Sequence, residues 1–245
     1  MADSYASPAN ALGDAAKRAD SGVAIEENGF AILPRLFSEE YLDRLLQEMN
    51  ELALRRSRAG VRHALGLPPV AVLAREPQMM KLVQGILGPK AFPFRATLFD
   101  KSPAANWLVV WHQDTALPLR DRIETPGWGP WSMKDRIHYA HAPASALSQV
   151  AALRVSFDDS TAENGPLRIL PGTHTLGVLT DDKVGEVASQ RVPVACIVPK
   201  GGLLVMKPLL IHASSRSHSG TPRRVLHIEY AASDSIARPL QFAIA

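Results

Sequence analysis

Residues 107–114 read Trp-Leu-Val-Val-Trp-His-Gln-Asp, an apolar run that ends in a histidine and a carboxylate separated by one residue. The apolar run predicts a β-strand, and alternate residues of a strand point to the same face. His112 and Asp114 therefore share a face, and Gln113 points the opposite way. One imidazole and one carboxylate supply two ligands of a mononuclear metal site. A second histidine would complete a set that suits Fe(II) and leaves positions open for oxygen.

This strand belongs to a series of short strands that begins near residue 92. Short apolar or alternating runs separated by Pro, Gly, Asn and Asp are typical of a β-sandwich or β-barrel. The predicted strands lie at residues 94–100, 107–112, 150–158, 166–170, 194–199, 202–206 and 223–231. Residues 115–149 interrupt the series without clear periodicity, so we expect them to form a lid or substrate loop.

Helical patterns precede the strands. Residues 29–35 predict a short strand, and Ser38 is placed as the N-cap of an amphipathic helix over residues 39–55. A second helix is predicted over residues 77–87. The Ala-rich residues 1–28 are expected to be loose or weakly helical, with residues 29–245 forming a single catalytic domain.

The composition excludes several classes of protein. No run of 18 apolar residues occurs, so no membrane span is expected, and the first residues lack the apolar core of a secretory signal. Cys196 is the only cysteine, which excludes a disulfide framework and favours a cytoplasmic location. The net charge of +3 is small and spread out. It does not indicate a nucleic-acid partner, and we expect a small-molecule substrate.

A third metal ligand has to come from the other histidines, and His212 is the best candidate. It follows a glycine-bounded apolar strand, and Arg223 and Arg224 stand 11 and 12 residues further on. A guanidinium at the start of the next strand can pair bidentately with a carboxylate. Alternation puts Arg223, His227 and Glu229 on one face of that strand and an apolar set on the other. The polar face suits the interior, with His227 and Glu229 as a hydrogen-bonded pair.

Three motifs in this order resemble the phytanoyl-CoA dioxygenase family, which includes ectoine hydroxylases. The family shows H-x-D, then N-G-x-L-x-x-x-P-G-[ST]-H, then a distal histidine followed by arginine. The chain matches with residues 112–114, with NGPLRILPGTH at residues 164–174, and with His212 and Arg223. The resemblance covers roughly residues 29–231.

The resemblance implies a mostly β fold, a double-stranded β-helix (jelly-roll, cupin-like) core with flanking N-terminal α-helices. It implies a dioxygenase that requires Fe(II), 2-oxoglutarate and O2. Such an enzyme hydroxylates an unactivated C–H bond of a small organic substrate and converts 2-oxoglutarate to succinate and CO2.

Individual roles follow from the same resemblance. It implies that iron is ligated by the two histidines and the aspartate, namely His112, Asp114 and His212. Arg223, helped by Ser214, would hold the distal carboxylate of 2-oxoglutarate, and Thr97 would lie near the cosubstrate. Arg154 departs from the family pattern, because many members have tryptophan there. Either Arg154 contacts 2-oxoglutarate or a substrate anion, or it forms a structural salt bridge.

Other side chains have both a functional and a structural interpretation. His174 is expected to be a structural residue of a turn rather than a fourth ligand. Trp128 and Trp131 either close over the substrate or anchor the packing of the 115–149 segment. The basic residues at 55–62 are most simply a solvated helix end, and Arg62 is the best candidate among them for binding an acidic substrate.

Individual residues argue against three alternative functions. Related halogenases replace the carboxylate ligand with Ala or Gly, so Asp114 argues against halogenation. A non-oxidative metal-binding jelly roll, such as a cupin-like isomerase, would not need Arg223. A non-catalytic sensor would usually have lost a ligand or the arginine, and the chain retains all four residues.

Overall fold

The structure is a computed structural model that describes residues 23–52, 60–103 and 105–245. Residues 23–28 are helical, and they are followed by α1 (Glu39–Asn50), α2 (Pro68–Leu73), α3 (Pro77–Leu87), α4 (Ala144–Leu147) and α5 (Asp181–Gln190). The first seven strands are β1 (Phe30–Leu33), β2 (Gly60–Val61), β3 (Phe92–Lys101), β4 (Val109–His112), β5 (Ala116–Leu119), β6 (Trp131–Lys134) and β7 (Ile137–His141). The others are β8 (Val150–Ser156), β9 (Leu167–Ile169), β10 (Val194–Ala195), β11 (Leu203–Met206), β12 (His212–Ser214) and β13 (Arg223–Ala231).

The predicted helices form, with one difference in length. Ser38 caps α1, because its Oγ accepts a hydrogen bond from the backbone N–H of Tyr41 at 3.2 Å. Helix α1 ends at Asn50 rather than at residue 55, and residues 53–59 lie outside the described residues, as do residues 1–22. Helix α3 has the predicted bounds, with Pro77 in its first turn. Among the described helices, none is both long and apolar enough to cross a bilayer.

Two antiparallel sheets form the centre of the fold. The larger has the strand order β1-β11-β8-β13-β3-β2, and the smaller has the order β10-β9-β12-β4. Leu167 and Ile169 of the smaller sheet pack with Ala152 and Leu204 of the larger one. This arrangement confirms the predicted mostly β class with N-terminal helices, and the described parts of both sheets line one cavity.

The central strand β13 has the predicted register. Arg223 and Glu229 are buried and line the cavity, as does His227 between them. The intervening Leu226 and Ile228 belong to the apolar core that also contains the buried residues of α1 and α3. The strand therefore separates a polar interior from a helix-covered outer face, and a shift of one residue would exchange the two sets.

Residues 115–149 contain more structure than their sequence pattern predicts. They form a third sheet of order β5-β7-β6. Asp135 (φ 49°) and Arg136 (φ 68°) make the tight turn between β6 and β7 in the left-handed region. Trp128 and Trp131 are partly buried against an apolar cluster centred on this sheet. Packing is therefore the role that the structure indicates for both tryptophans.

Two strand predictions require correction. No strand is predicted between residues 206 and 223, but His212 begins β12, a strand that pairs with β9 and β4. Of the predicted strand at residues 194–199, only Val194–Ala195 forms, because their pairing with Ile169 and Arg168 in β9 is that short.

Candidate metal and cosubstrate site

The two histidines and the aspartate singled out in the sequence meet at the end of two neighbouring strands. His112 of β4 and His212 of β12 are directly paired across the strands, and their ring centres lie 4.2 Å apart. Asp114 Oδ1 lies 3.7 Å from His112 Nε2, and Asp114 Oδ2 lies 3.5 Å from His212 Nε2. One ligand atom from each residue can be chosen so that all three lie within 4.8 Å of one another. The strand alternation also holds, since Gln113 points away and its amide hydrogen-bonds the backbone of Gly177, Leu179 and Leu209.

Both histidines are oriented by the backbone of their own strands. His112 Nδ1 lies 2.8 Å from the carbonyl oxygen of Val110, and His212 Nδ1 lies 2.8 Å from that of Leu210. A carbonyl oxygen only accepts, so each Nδ1 carries the proton and each Nε2 presents a lone pair toward Asp114. This is the tautomer of a metal-ligating histidine with an oriented ring. The donor set therefore fits a divalent metal of the Fe(II) type.

The electrostatics of the cluster favour the same protonation states. Burial lowers the pKa of His212 to about 4, so its ring is neutral at pH 7. Burial by itself would raise the pKa of Asp114, but His212, His112, His227 and Arg95 together hold it below its ordinary value. A neutral imidazole and an ionised carboxylate are the forms that bind a metal ion.

The same cavity contains a buried group of cations. Arg223 is 4% exposed, and its guanidinium contacts the carbonyl oxygen of Asn164 at 3.2 Å and Ser214 Oγ at 3.4 Å. Lys101, which is 1% exposed, donates from Nζ to Ser214 Oγ at 2.8 Å and lies 5.3 Å from the ring centre of Trp107. Lys101 and Arg223 face each other across β3 and β13. The structure thus places Ser214 between two positive charges.

Arg154 adds a third charge to this group. It is 7% exposed, its Nη1 donates to His227 Nδ1 at 2.8 Å, and its guanidinium lies 5.4 Å from the ring centre of Phe99. Among the described residues, none of the three cations forms an ion pair with a carboxylate, so a structural salt bridge is not the role of Arg154. Burial and the charges of Arg223 and Arg154 lower the pKa of Lys101 to about 8, while burial and Arg154 lower that of Arg223 to about 10. Buried cations without acidic partners suit the binding of an anion.

The central lining of the cavity continues along β3 and β13. Thr97 lines the cavity opposite His227. His227 accepts from Arg154 at Nδ1, so its Nε2 carries the proton, and that atom lies 3.8 Å from Glu229 Oε2. Glu229 is held instead by Arg95, through a bidentate contact. The expected hydrogen-bonded pair of His227 and Glu229 is therefore wrong in detail, because each has an arginine as its main partner.

The Asn-Gly motif, residues 164–165, contacts Ser214 and Arg223 through its backbone carbonyl oxygens. Gly165 has φ 67°, and a Cβ there would lie 2.4 Å from the carbonyl oxygen of Ser215, so only glycine fits. Its carbonyl oxygen accepts from Ser214 Oγ at 2.9 Å, and the carbonyl oxygen of Asn164 accepts from Arg223. The motif therefore positions the two residues expected to bind the cosubstrate. His174, at the end of the motif, contacts the carbonyl oxygen of Glu26 at 3.2 Å and does not line the cavity.

Lys101 was missed in the sequence. Lys101 lies four residues after Thr97 on β3, so strand alternation places both side chains on the same face. This alternation could have indicated that Lys101 faces the cavity. A lysine at the end of a predicted strand is usually solvated, so the pattern by itself did not distinguish it.

Comparison with known proteins agrees with this geometry. A family model described as Phytanoyl-CoA dioxygenase (PhyH) matches residues 25–225, which is most of the chain. The chain belongs to the phytanoyl-CoA dioxygenase family. The predicted family is therefore confirmed, and with it the class of non-haem iron enzyme that uses 2-oxoglutarate and O2.

The relatives are distant in sequence. L-proline trans-4-hydroxylase from Streptomyces griseoviridis is 23% identical over 251 residues, which cover 86% of this chain and 85% of the relative. EctD from S. alaskensis, solved with 2-oxoglutarate and 5-hydroxyectoine, has a TM-score of 0.67 at 17% identity, over 89% of this chain and 76% of that one. The epimerase SnoN, in complex with Fe3+, alpha ketoglutarate and nogalamycin RO, has a TM-score of 0.67 at 18% identity, over 89% and 84%. These structures confirm the jelly-roll fold.

Proposed function

We propose that the protein is a hydroxylase of a small organic molecule that uses His112, Asp114 and His212 as its iron ligands. One oxygen atom of O2 enters the substrate C–H bond as a hydroxyl group. The other enters succinate as 2-oxoglutarate loses CO2. The observation that carries the proposal is that one cavity holds both the metal-ligand cluster and the three buried cations without acidic partners. The similarity to a proline hydroxylase over most of both chains supports hydroxylation in particular.

The roles divide between the two groups of residues. His112, Asp114 and His212 would hold Fe(II), which supplies the activation of O2 when it is bound with 2-oxoglutarate. Arg223 and Lys101 bind the distal carboxylate of the cosubstrate, and Ser214 Oγ accepts a hydrogen bond from each of them. Arg154 keeps His227 in one tautomer and adds positive charge beside the cosubstrate. Thr97 contacts the cosubstrate. None of these residues needs to exchange a proton during hydroxylation, so binding and orientation are their contributions.

The direct test is succinate formation by the purified full chain. With Fe(II), ascorbate and 2-oxoglutarate, we expect slow succinate release without substrate and stimulation by a hydroxylatable compound. Anaerobic addition of 2-oxoglutarate to the Fe(II) protein should give a weak visible charge-transfer band. A non-catalytic sensor or a cupin-like isomerase would form no succinate, and that result would overturn the proposal.

The binding of 2-oxoglutarate should weaken as the pH rises above about 8. Lys101 is charged below its pKa of about 8 and neutral above it, so its attraction for the distal carboxylate is present at pH 7 and lost at pH 9. For one proton, the dissociation constant should rise about tenfold between pH 7 and pH 9. Anaerobic titration of 2-oxoglutarate, followed by the charge-transfer band, measures this change.

Lys101→Met tests the origin of that pH dependence. The variant should bind 2-oxoglutarate roughly 10- to 100-fold more weakly at pH 7, as expected for a hydrogen bond between charged groups, and its affinity should barely change up to pH 9. Lys81→Met, on the exposed side of α3, is the control. An unaltered pH dependence in Lys101→Met would remove Lys101 from the cosubstrate site.

The small sheet of residues 115–149 serves this function as a mobile lid over the substrate. Support comes from its position, because Lys134 and Tyr139 line the cavity while residues 120–124 are exposed. Trypsin should first cut the apo protein at Arg120 or Arg122, and substrate with cosubstrate should slow the cut at least several-fold. Cleavage at Lys183, on exposed α5, gives the reference rate. Equal rates in the apo and loaded protein at all these sites would count against a lid.

A further inference from the structure

The cavity extends to a second group of cations that the proposed function does not use. Strand β3 lines the cavity at two-residue spacing from Lys101 to Arg95, a distance of about 20 Å along a strand. Lys101 marks the cosubstrate end. Arg95, bound to Glu229, marks the opposite end, which we call the outer end. The side chains around Arg95 at the outer end are Arg62, His63, Lys134 and Tyr139.

Arg62 and Lys134 have no acidic partner among the residues that the structure describes. The neighbouring Asp135 lies 3.9 Å from His63 Nδ1 instead, and Glu229 is occupied by Arg95. Lys134 Nζ lies 5.0 Å from the ring centre of Tyr139. Burial, followed by the charges of Arg62 and Arg95, lowers the pKa of Lys134. Positive charges therefore gather at the outer end, and among the described residues Arg95 alone of the three cations has a carboxylate partner there.

A side-chain hydrogen bond links the two segments that carry these cations. His63 (φ 55°) follows Arg62, and Asp135 (φ 49°) follows Lys134; both lie in the left-handed region that side chains other than glycine rarely adopt. His63 Nε2 and the Tyr139 hydroxyl are 2.9 Å apart, which links the two segments.

The charges that line the cavity exceed what one cosubstrate can match. Among the described residues, six lysine and arginine side chains line it, against two carboxylates. Glu229 is paired with Arg95, and Asp114 belongs to the metal-ligand cluster. The cations at the cosubstrate end bind 2-oxoglutarate, which is a dianion. Arg62 and Lys134 line the concave cavity, are exposed to solvent and are left without a counter-charge, so this end of the cavity attracts a second anion.

We infer that the organic substrate carries a carboxylate or phosphate group and that Arg62 and Lys134 bind this group at the outer end. The inference rests on the proposed function, since it concerns the substrate of the same cavity. Two cations and the Tyr139 hydroxyl provide charge-assisted hydrogen bonds to an anionic group. The anion anchors the substrate at the end of the cavity opposite Lys101, and the rest of the molecule extends toward the metal ligands.

The test uses the full chain with Fe(II) and saturating 2-oxoglutarate, without oxygen and at constant ionic strength. Inorganic phosphate and propionate are titrated separately by calorimetry. We expect at least one of them to bind in the millimolar range, and the double variant Arg62→Gln/Lys134→Gln to bind it at least about tenfold more weakly. The control variant Arg75→Gln/Lys183→Gln removes the same charge from exposed positions and should bind like the unaltered protein. Binding of phosphate alone points to a phosphate ester, and binding of propionate alone to a carboxylic acid.

Three results would overturn the inference. The first is that neither probe binds the unaltered protein, and the second is that both double variants bind a probe equally well. The third is a loss of 2-oxoglutarate affinity in Arg62→Gln/Lys134→Gln of more than tenfold, which would assign these cations to the cosubstrate. The charge-transfer band of the unaltered protein reports on iron and cosubstrate separately, so failure of the proposed function is seen independently of anion binding.

Discussion

Replacing His212 by alanine is expected to abolish the visible band that forms when 2-oxoglutarate is added anaerobically to the Fe(II) protein. Succinate formation should fall by more than about 100-fold, because even an outer-shell partner of a metal ligand commonly contributes 10- to 100-fold to metal affinity or activity. His112→Ala should have the same effect, since the two rings are paired across β4 and β12 and both present Nε2 to Asp114.

The matched control is His218→Ala, which removes an imidazole from an exposed position six residues beyond His212. This variant should keep the band and bind one Fe(II) per chain. Circular dichroism of each variant checks that it is folded. If His112→Ala and His212→Ala both retained the band, these histidines would not be the iron ligands.

Arg223→Ala is expected to weaken 2-oxoglutarate binding by roughly 30- to 1,000-fold. Loss of one partner from a buried charge-assisted contact costs about 2–4 kcal/mol, and each tenfold in affinity corresponds to ~1.4 kcal/mol. Arg223 is buried beside Ser214 and has no carboxylate partner among the described residues, so its charge is available to the cosubstrate. Titration of the Fe(II) protein with 2-oxoglutarate measures the change.

Arg224→Ala is the control built into the same strand. Arg224 points to the other face, where it forms a bidentate contact with Asp158 at 2.6 and 2.8 Å. Its removal should change 2-oxoglutarate affinity only a few-fold. A greater loss from Arg224→Ala than from Arg223→Ala would contradict the assignment of Arg223 to the cosubstrate.

The parts of the fold that could be predicted are those whose structure follows from a pattern among residues close together in the sequence. Strand β13 has nine residues, long enough for alternation to separate Arg223 from Arg224. The His112-x-Asp114 spacing places two candidate ligands on one face through the geometry of a strand. Pro77 and Gly88 fix the ends of α3 by their own backbone preferences. In each case residues close together in the sequence are enough to predict the feature.

The parts that could not be predicted depend on contacts between distant residues. Strand β12 has three residues, too few for any period, and forms because it lies between β9 and β4. The sheet of residues 115–149 contains Pro118 and has few alternating residues, so its strands are recognisable only once they are paired. Lys101 is buried by Ser214 and Trp107, and Ser214 lies more than 100 residues away along the chain.

The anchoring of both histidines by backbone carbonyls has a consequence for how such an enzyme can change over time. The Nδ1 partners are the carbonyl oxygens of Val110 and Leu210, which every residue type provides. Under the proposed iron ligation, substitutions around the cavity can therefore alter which molecule is accepted without changing the orientation of His112 and His212. Substrate preference and iron binding can diverge independently, and a designer who wishes to retarget the pocket can leave β4 and β12 untouched.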